Sequence, residues 1–275
     1  MGDKTLISWT DHTFNIVWGC EKISPGCKNC YADTLATRYG HSVWGKDGQR
    51  RTFGAKHWKE PIDWENKSRN GAVGVRGAGW NHLVFCSSMG DNFEDHPTVA
   101  GELKKLWSLI KATPHLDWQL LTKRADRIAD NLPADWSIEN YPNVWLGVSV
   151  ENNDYVLRAE ILKQIPATVH FISYEPALGP LSSLDTRGIE WIIIGGESGK
   201  EWRKREMNHA WARDVRDKCV KSKTAVFFKQ SSASLPGRGT SLIEANHSRW
   251  FWRQFPGLFV EPVQDSAAPV ITEKG

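Results

Sequence analysis

Leu83-Val84-Phe85-Cys86-Ser87-Ser88-Met89-Gly90-Asp91 is the stretch on which the fold turns. Four apolar residues, about the length of a buried strand, give way to a polar, glycine-containing exit. The same unit recurs five times downstream. Trp118-Gln119-Leu120-Leu121 runs into Thr122-Lys123-Arg124, and Val144-Trp145-Leu146-Gly147-Val148 into Ser149-Val150-Glu151-Asn152. Val169-His170-Phe171-Ile172 runs into Ser173-Tyr174-Glu175-Pro176, and Trp191-Ile192-Ile193-Ile194 into Gly195-Gly196-Glu197-Ser198-Gly199. The last, Ala225-Val226-Phe227-Phe228, ends at Lys229-Gln230. Between several of these runs the apolar period lengthens to that of a helix. Val99, Leu103, Leu106, Leu109 and Ile110 share one face of 97–112. Val156, Ala159, Leu162 and Ile165 do so in 155–165, and Trp211, Val215 and Val220 in 209–221. Strand–helix alternation of this kind implies a parallel sheet with right-handed crossovers. A first strand near Ile7, or over 14–18, brings the number to about seven. The expected fold is α/β, a partial or full (β/α) barrel, with an open doubly wound sheet as the alternative.

In parallel α/β folds the site lies at the C-terminal ends of the strands. Every run above ends in polar or charged residues able to point at one cleft. One or two of these, Asp91 above all, suit a salt bridge or helix cap; six in succession argue for a site. Residues 40–80 interrupt the alternation. Gly45, Gly48, Gly54, Gly71 and Gly74 mix there with Arg50, Arg51, Lys56, Lys59 and Lys67, the composition of a basic loop insertion that serves as a lid or binding loop, or is simply solvated. The expected organisation is a barrel over 1–232 and a C-terminal lid or closing strand over 233–275. That last part carries Arg249-Trp250-Phe251-Trp252-Arg253 and frays from Val263 onward.

Upstream of the first run stands Cys20-Glu21-Lys22-Ile23-Ser24-Pro25-Gly26-Cys27-Lys28-Asn29-Cys30, a C-x6-C-x2-C pattern. It holds three of the chain's five cysteines. A disulfide framework fits poorly, because a chain of 275 residues buries its own core and the count is odd. The polar start Met1 to Lys4, with no apolar segment after it, is not that of a secretory signal, so a cytoplasmic location is expected. Structural zinc would need a fourth ligand, for which His12 and His41 are candidates. An iron–sulfur centre with three protein ligands would keep one iron open for chemistry. Pro25-Gly26 supplies a turn able to wrap such a centre, and Trp18 and Tyr31 are placed to shield it.

Composition narrows little else. No segment approaches the ~20 apolar residues of a membrane span. A net charge of +3 does not by itself point to nucleic acid. Fifteen tryptophans, Trp9, Trp44, Trp58, Trp64 and Trp80 among them, suit core packing or base-stacking platforms. Cys86 and Cys219 read as small buried thiols.

The cysteine pattern followed by Tyr31-Ala32, then Met89-Gly90-Asp91, Leu121-Thr122-Lys123-Arg124, the 145–152 segment, Glu175-Pro176 and Gly195-Gly196-Glu197-Ser198, occur in the order found in phage and bacterial three-cysteine-motif proteins. The chain resembles that family, itself similar to radical S-adenosylmethionine (SAM) enzymes, over about 5–232. The usual loop of those enzymes is C-x3-C-x2-C; here the first spacer has six residues. The resemblance implies a 4Fe-4S cluster on Cys20, Cys27 and Cys30, with SAM on the open iron and reductive cleavage of SAM to start radical chemistry. The segment Ser87, Ser88, Met89 and Asp91 would hold the SAM methionine, Asp91 on its ammonium, while Ser149, Glu151 and Asn152 take the ribose or carboxylate. Substrate binding and proton movement would fall to Lys123, Arg124, Glu175, Glu197 and Lys229. An external electron donor is implied, with a nucleobase or nucleic acid as substrate in DNA modification or repair, a partner protein encoded nearby and no membrane. Whether the outcome is that of a lyase, isomerase or transferase is left open. The competing readings are a nucleic-acid-binding protein with a structural iron–sulfur or zinc site, and a metal-dependent hydrolase, for which few histidines fall at strand ends.

Overall fold

A computed structural model describes residues 5–266. The chain divides into two compact units, Met1–Ser149 with Glu160–His170, and Val150–Ala159 with Phe171–Gly275. In the first, β1 (His12–Phe14), β2 (His82–Cys86), β3 (Leu116–Thr122) and β4 (Val144–Ser149) pair parallel in chain order. Its helices are α1 (Tyr31–Arg38), α2 (Ala55–Arg69) and α3 (Pro97–Ala112). Further along the chain, α4 (Leu157–Leu162) precedes β5 (Val169–Tyr174). In the second unit β5 pairs parallel with β6 (Trp191–Gly195), and β6 with β7 (Ala225–Gln230), again in chain order, with α5 (His209–Ser222) between β6 and β7. Neither unit contains the reversal of strand order that marks a doubly wound sheet. The class is therefore the expected one: α/β, seven parallel strands, in the order of a partial (β/α) barrel.

Strand interiors follow from burial on both faces. All residues of β2, β4 and β6 are buried, which is why each reads as an unbroken apolar run. Helix ends follow from capping. The His96 ring accepts from Thr98 N at 3.2 Å and Pro97 opens α3, where its missing N–H is no loss. The Asn208 side chain accepts from Ala210 N at 2.8 Å to open α5. The apolar face of α3, from Val99 to Ile110, is buried as its period predicts.

Three expectations change. Residues 40–80 are not a loop throughout, for α2 occupies fifteen of them. Its buried face is Pro61, Trp64 and Glu65, with the Glu65 carboxylate accepting from His115 N at 2.9 Å. A proline and a glutamate on the inner face erase the apolar period that would have announced it. The helix over 155–165 is shorter, a 3-10 turn at 153–155 and then α4. The Asn152 side chain, accepting from Asp154 N at 3.1 Å, tightens that entry. Val263 and Gln264 are not frayed: they form β10, which with β8 (Leu242–Ile243) and β9 (Arg249–Phe251) makes a small antiparallel sheet. The rest of the expected frayed tail, 267–275, lies outside the described residues, as do Met1 to Lys4. Just after β9 the chain lies along the free edge of β7, with Phe228 N donating to Trp252 O and Gln254 N to Val226 O, both at 2.9 Å. Among the described residues no helix is long and apolar enough to cross a membrane.

Seven of the fifteen tryptophans are buried. Trp9, Trp64, Trp118 and Trp191 are among the largest fully buried side chains, whereas Trp80 is 36% exposed.

Two stability predictions arise here. Lys223 ends α5 with φ +60, a left-handed conformation that disfavours any residue with a Cβ. Lys223→Gly is expected to stabilise the protein by about 1 kcal/mol, read as a raised urea midpoint with unchanged slope. His209 Nδ1 accepts from Ile243 N at 3.1 Å, and Nε2 lies 3.0 Å from Ser231 Oγ. Burial, then Arg213 and Arg249, lowers its pKa from the ordinary 6.5 to about 4. Between those two values the unfolded chain binds a proton that the folded one refuses, so stability falls as pH drops through that window. The fall in urea midpoint from pH 7 to 4.5 should be shallower in His209→Gln than in the wild type.

Candidate functional site

The cysteine loop leaves β1 under tight backbone control. Trp18 and Arg51 exchange both backbone hydrogen bonds at 2.9 Å, and Gly19 N donates to Met89 O at 3.0 Å. Gly19 has φ +113, and a Cβ there would collide with Val43 O, so only glycine fits. The loop then turns at Pro25–Cys27, where Cys27 N donates to Ser24 O at 2.9 Å, and Cys30 stands immediately before α1. Cys20, Cys27 and Cys30 are free, partly exposed thiols, and all three line one cavity of about 130 Å³. The rest of the lining includes strand ends of the same unit: Ser87, Ser88 and Asp91 after β2, Lys123 and Arg124 after β3, and Ser149 at the end of β4.

Of the two expected aromatic shields, Tyr31 lines the cavity and its hydroxyl donates to Ser88 O at 2.7 Å. Trp18 instead packs in a buried cluster with Ala32, Ala36, Val43 and Met89, and Trp44 takes its place at the wall. Met89 is thus in the core, and its backbone N donates to Asn15 Oδ1 at 2.7 Å. Ser87 Oγ donates to Asn92 Oδ1 at 2.6 Å, and Ser88 Oγ accepts from Asn15 Nδ2 at 3.1 Å.

Asp91 is engaged by the protein itself. Oδ1 accepts from Thr122 Oγ1 at 2.7 Å and Phe93 N at 3.0 Å; Oδ2 accepts from Arg124 Nη1 at 3.0 Å and Lys123 N at 3.2 Å. Arg124 in turn points Nη1 at Cys20 Sγ, 3.5 Å away, and Nη2 at Glu21 O, 3.1 Å away. Burial pushes the Cys20 thiol up, reinforced by Asp91 and opposed by Arg124, and burial likewise raises Cys30. Behind them is a pair that the sequence did not single out. Glu94 receives Arg50 Nε at 2.7 Å, Arg50 Nη2 at 2.8 Å and Glu21 N at 2.7 Å, and lies 3.5 Å from Arg124. Arg50 looked like one more cation in a basic segment; nothing local distinguishes it from Arg51.

The other candidates lie in the second unit. Glu151 pairs with Arg158 at 2.9 Å, Glu175 with Lys229 at 2.9 Å, and Glu197 with Arg205 through both oxygens. These strand-end carboxylates are neutralised locally, so they do not set a bare negative field against a phosphate backbone. Asn152 serves the turn already described. Cys86 and Cys219 are fully buried, as expected, and burial pushes Cys86 up to about 12.

Among the described residues no three His, Cys, Asp or Glu side chains converge as ligands of a single metal ion. Three soft thiols spread around one cavity, with a guanidinium against one of them, suit a group whose metals each take one thiolate better than a closed tetrahedral zinc site.

No curated protein matches the sequence. Among solved structures, a doubly substituted spore photoproduct lyase with bound AdoMet and dinucleoside spore photoproduct is similar at 11% identity and a TM-score of 0.46, covering 97% of this chain and 72% of that one. A second spore photoproduct lyase structure, complexed with dinucleoside spore photoproduct, gives 11% identity and a TM-score of 0.45 over 80% of this chain and 64% of that one. A family model described as "Protein of unknown function (DUF5131)" matches residues 4–256, and the chain belongs to that family.

Proposed function

We propose that this chain is an iron–sulfur enzyme of the radical SAM type that acts on a nucleobase, free or within nucleic acid. The observation that carries the reading is the set of three free thiols on one cavity at the C-terminal ends of β2, β3 and β4, where a parallel α/β fold does its chemistry. Cys20, Cys27 and Cys30 would hold a 4Fe-4S cluster, leaving one iron for the amine and carboxylate of SAM. When bound, the cluster supplies the electron that breaks a carbon–sulfur bond of SAM, fed from an external donor.

The chain's own residues bind and orient. Ser87, Ser88 and Ser149 stand at the cavity with hydroxyls for the polar parts of SAM. Asp91, held by four protein donors, shapes the pocket through Arg124 and the Lys123 backbone. Tyr31 and Trp44 offer flat apolar walls that limit water and suit stacking on a base. In the second unit, Glu175 with Lys229, and Glu197 with Arg205, are paired donors and acceptors suited to substrate recognition or proton movement. Glu151 and Asn152 are built into their own turn and position the segment after β4.

Anaerobic reconstitution with iron and sulfide should give a brown protein with broad absorption near ~400 nm. Alanine at Cys20, Cys27 or Cys30 should abolish that band, while Cys86→Ser and Cys219→Ser keep it. Zinc in place of iron and sulfide, with a colourless wild type, would refute the ligand assignment. The loaded protein should release 5′-deoxyadenosine from SAM under dithionite; a fully loaded protein that never does so is not a radical SAM enzyme.

A further inference from the structure

Arg124 was expected at the substrate, and its surroundings suit a further role. Its side chain is 9% exposed, and the directions of its guanidinium are fixed by Asp91 Oδ2 at 3.0 Å, Glu21 O at 3.1 Å and Cys20 Sγ at 3.5 Å. A guanidinium has five N–H donors in a rigid plane, so these contacts leave it little freedom to follow a substrate. Two acids hold it in place. Asp91 is locked by Thr122 and the Phe93 amide, and Glu94 is locked by Arg50. Arg50 is itself fastened by its guanidinium to Val43 O and Gly45 O, each at 3.1 Å, and to Gly48 O. Four charges, two of each sign, therefore end on one sulfur.

A positive charge and a hydrogen bond at a ligating sulfur favour the more negative, reduced state of an iron–sulfur centre. Partial burial magnifies both effects by lowering the local dielectric. We propose that Arg124 is a tuning residue. It raises the reduction potential of the centre held by Cys20, Cys27 and Cys30, and Asp91 and the Arg50–Glu94 pair are the positioning residues that keep it against Cys20. The inference rests on the three-thiolate reading and extends it to residues that touch no substrate.

The test compares the midpoint potentials of wild type, Arg124→Gln and Arg124→Lys after anaerobic reconstitution to equal iron and sulfide, by spectroscopic redox titration without SAM or substrate. Glutamine removes one positive charge and leaves Asp91 and Glu94 opposed by Arg50 alone. Its midpoint should move negative by about tenfold in the one-electron equilibrium, ~59 mV. Lysine keeps the charge, so its midpoint should stay nearer the wild type than to the glutamine variant. Should Arg124→Gln not retain the centre, Arg124→Met, uncharged and of similar length, takes its place and carries the same expected negative shift. Loaded variants with an unchanged midpoint, or shifts of the wrong sign, overturn the inference while the ligand assignment stands. A wild type that takes up no centre overturns the ligand assignment itself.

Discussion

Arg50 and Glu94 form the contact on which the site depends. Their side chains are 1% and 3% exposed, and the fork of one meets both oxygens of the other. Burying two charges is costly unless every donor and acceptor finds a partner. Here the remaining Arg50 donors go to carbonyls of the 43–48 segment, and the remaining capacity of Glu94 goes to the Glu21 amide. Removing one partner of such a pair would leave an uncompensated buried charge, at about 3–5 kcal/mol. Three stretches far apart in sequence, the cysteine loop, the segment before α2 and the exit of β2, are thereby fastened at one point. A leucine pair could supply comparable burial but no preferred orientation. The bidentate geometry fixes direction, and direction is what a loop carrying three thiols around one cavity needs.

That fastening propagates outward. Glu21 follows Cys20, and its amide and carbonyl are held by Glu94 and Arg124 respectively. The residue after the first thiol thus has little freedom to drift. Gly19, just before it, is confined by the backbone of Val43. Cys27 and Cys30 are placed more locally, by the turn at Pro25–Cys27 and the start of α1. One thiol is positioned by a charge network and two by backbone turns.

Much of this was legible in the sequence where burial writes a pattern. The six apolar runs became β2 to β7, and 97–112 became α3 with those bounds, because strands buried on both faces and an amphipathic helix have plain signatures. The shared cavity of the three cysteines was legible because their spacing confines them to one loop. What escaped was written in pairs. Arg50 and Glu94 are informative only together, and forty-odd positions of chain separate them. The helix α2 hid because its inner face carries one large apolar side chain, Trp64, beside Pro61 and an acid paired with His115, and these write no apolar period. Trp44 was passed over for Trp18 because adjacency to a cysteine in sequence says nothing about which side of the loop faces the cavity. Asp91 lies in a segment at the exit of β2, yet which partner takes its oxygens depends on β3, a neighbour the local sequence does not name.

The strip at 252–254 along β7 bears on the life of the chain before it is complete. Ala225 to Phe228 is wholly apolar, the kind of bare edge to which a strand from another molecule readily adds. The segment that occupies this edge comes later in the chain, so during synthesis β7 emerges before its cover does. For that interval a nascent chain carries an adhesive margin that the finished protein no longer displays. Fast elongation through the segment that follows β7, or help from a holding chaperone, would shorten or shelter that exposure.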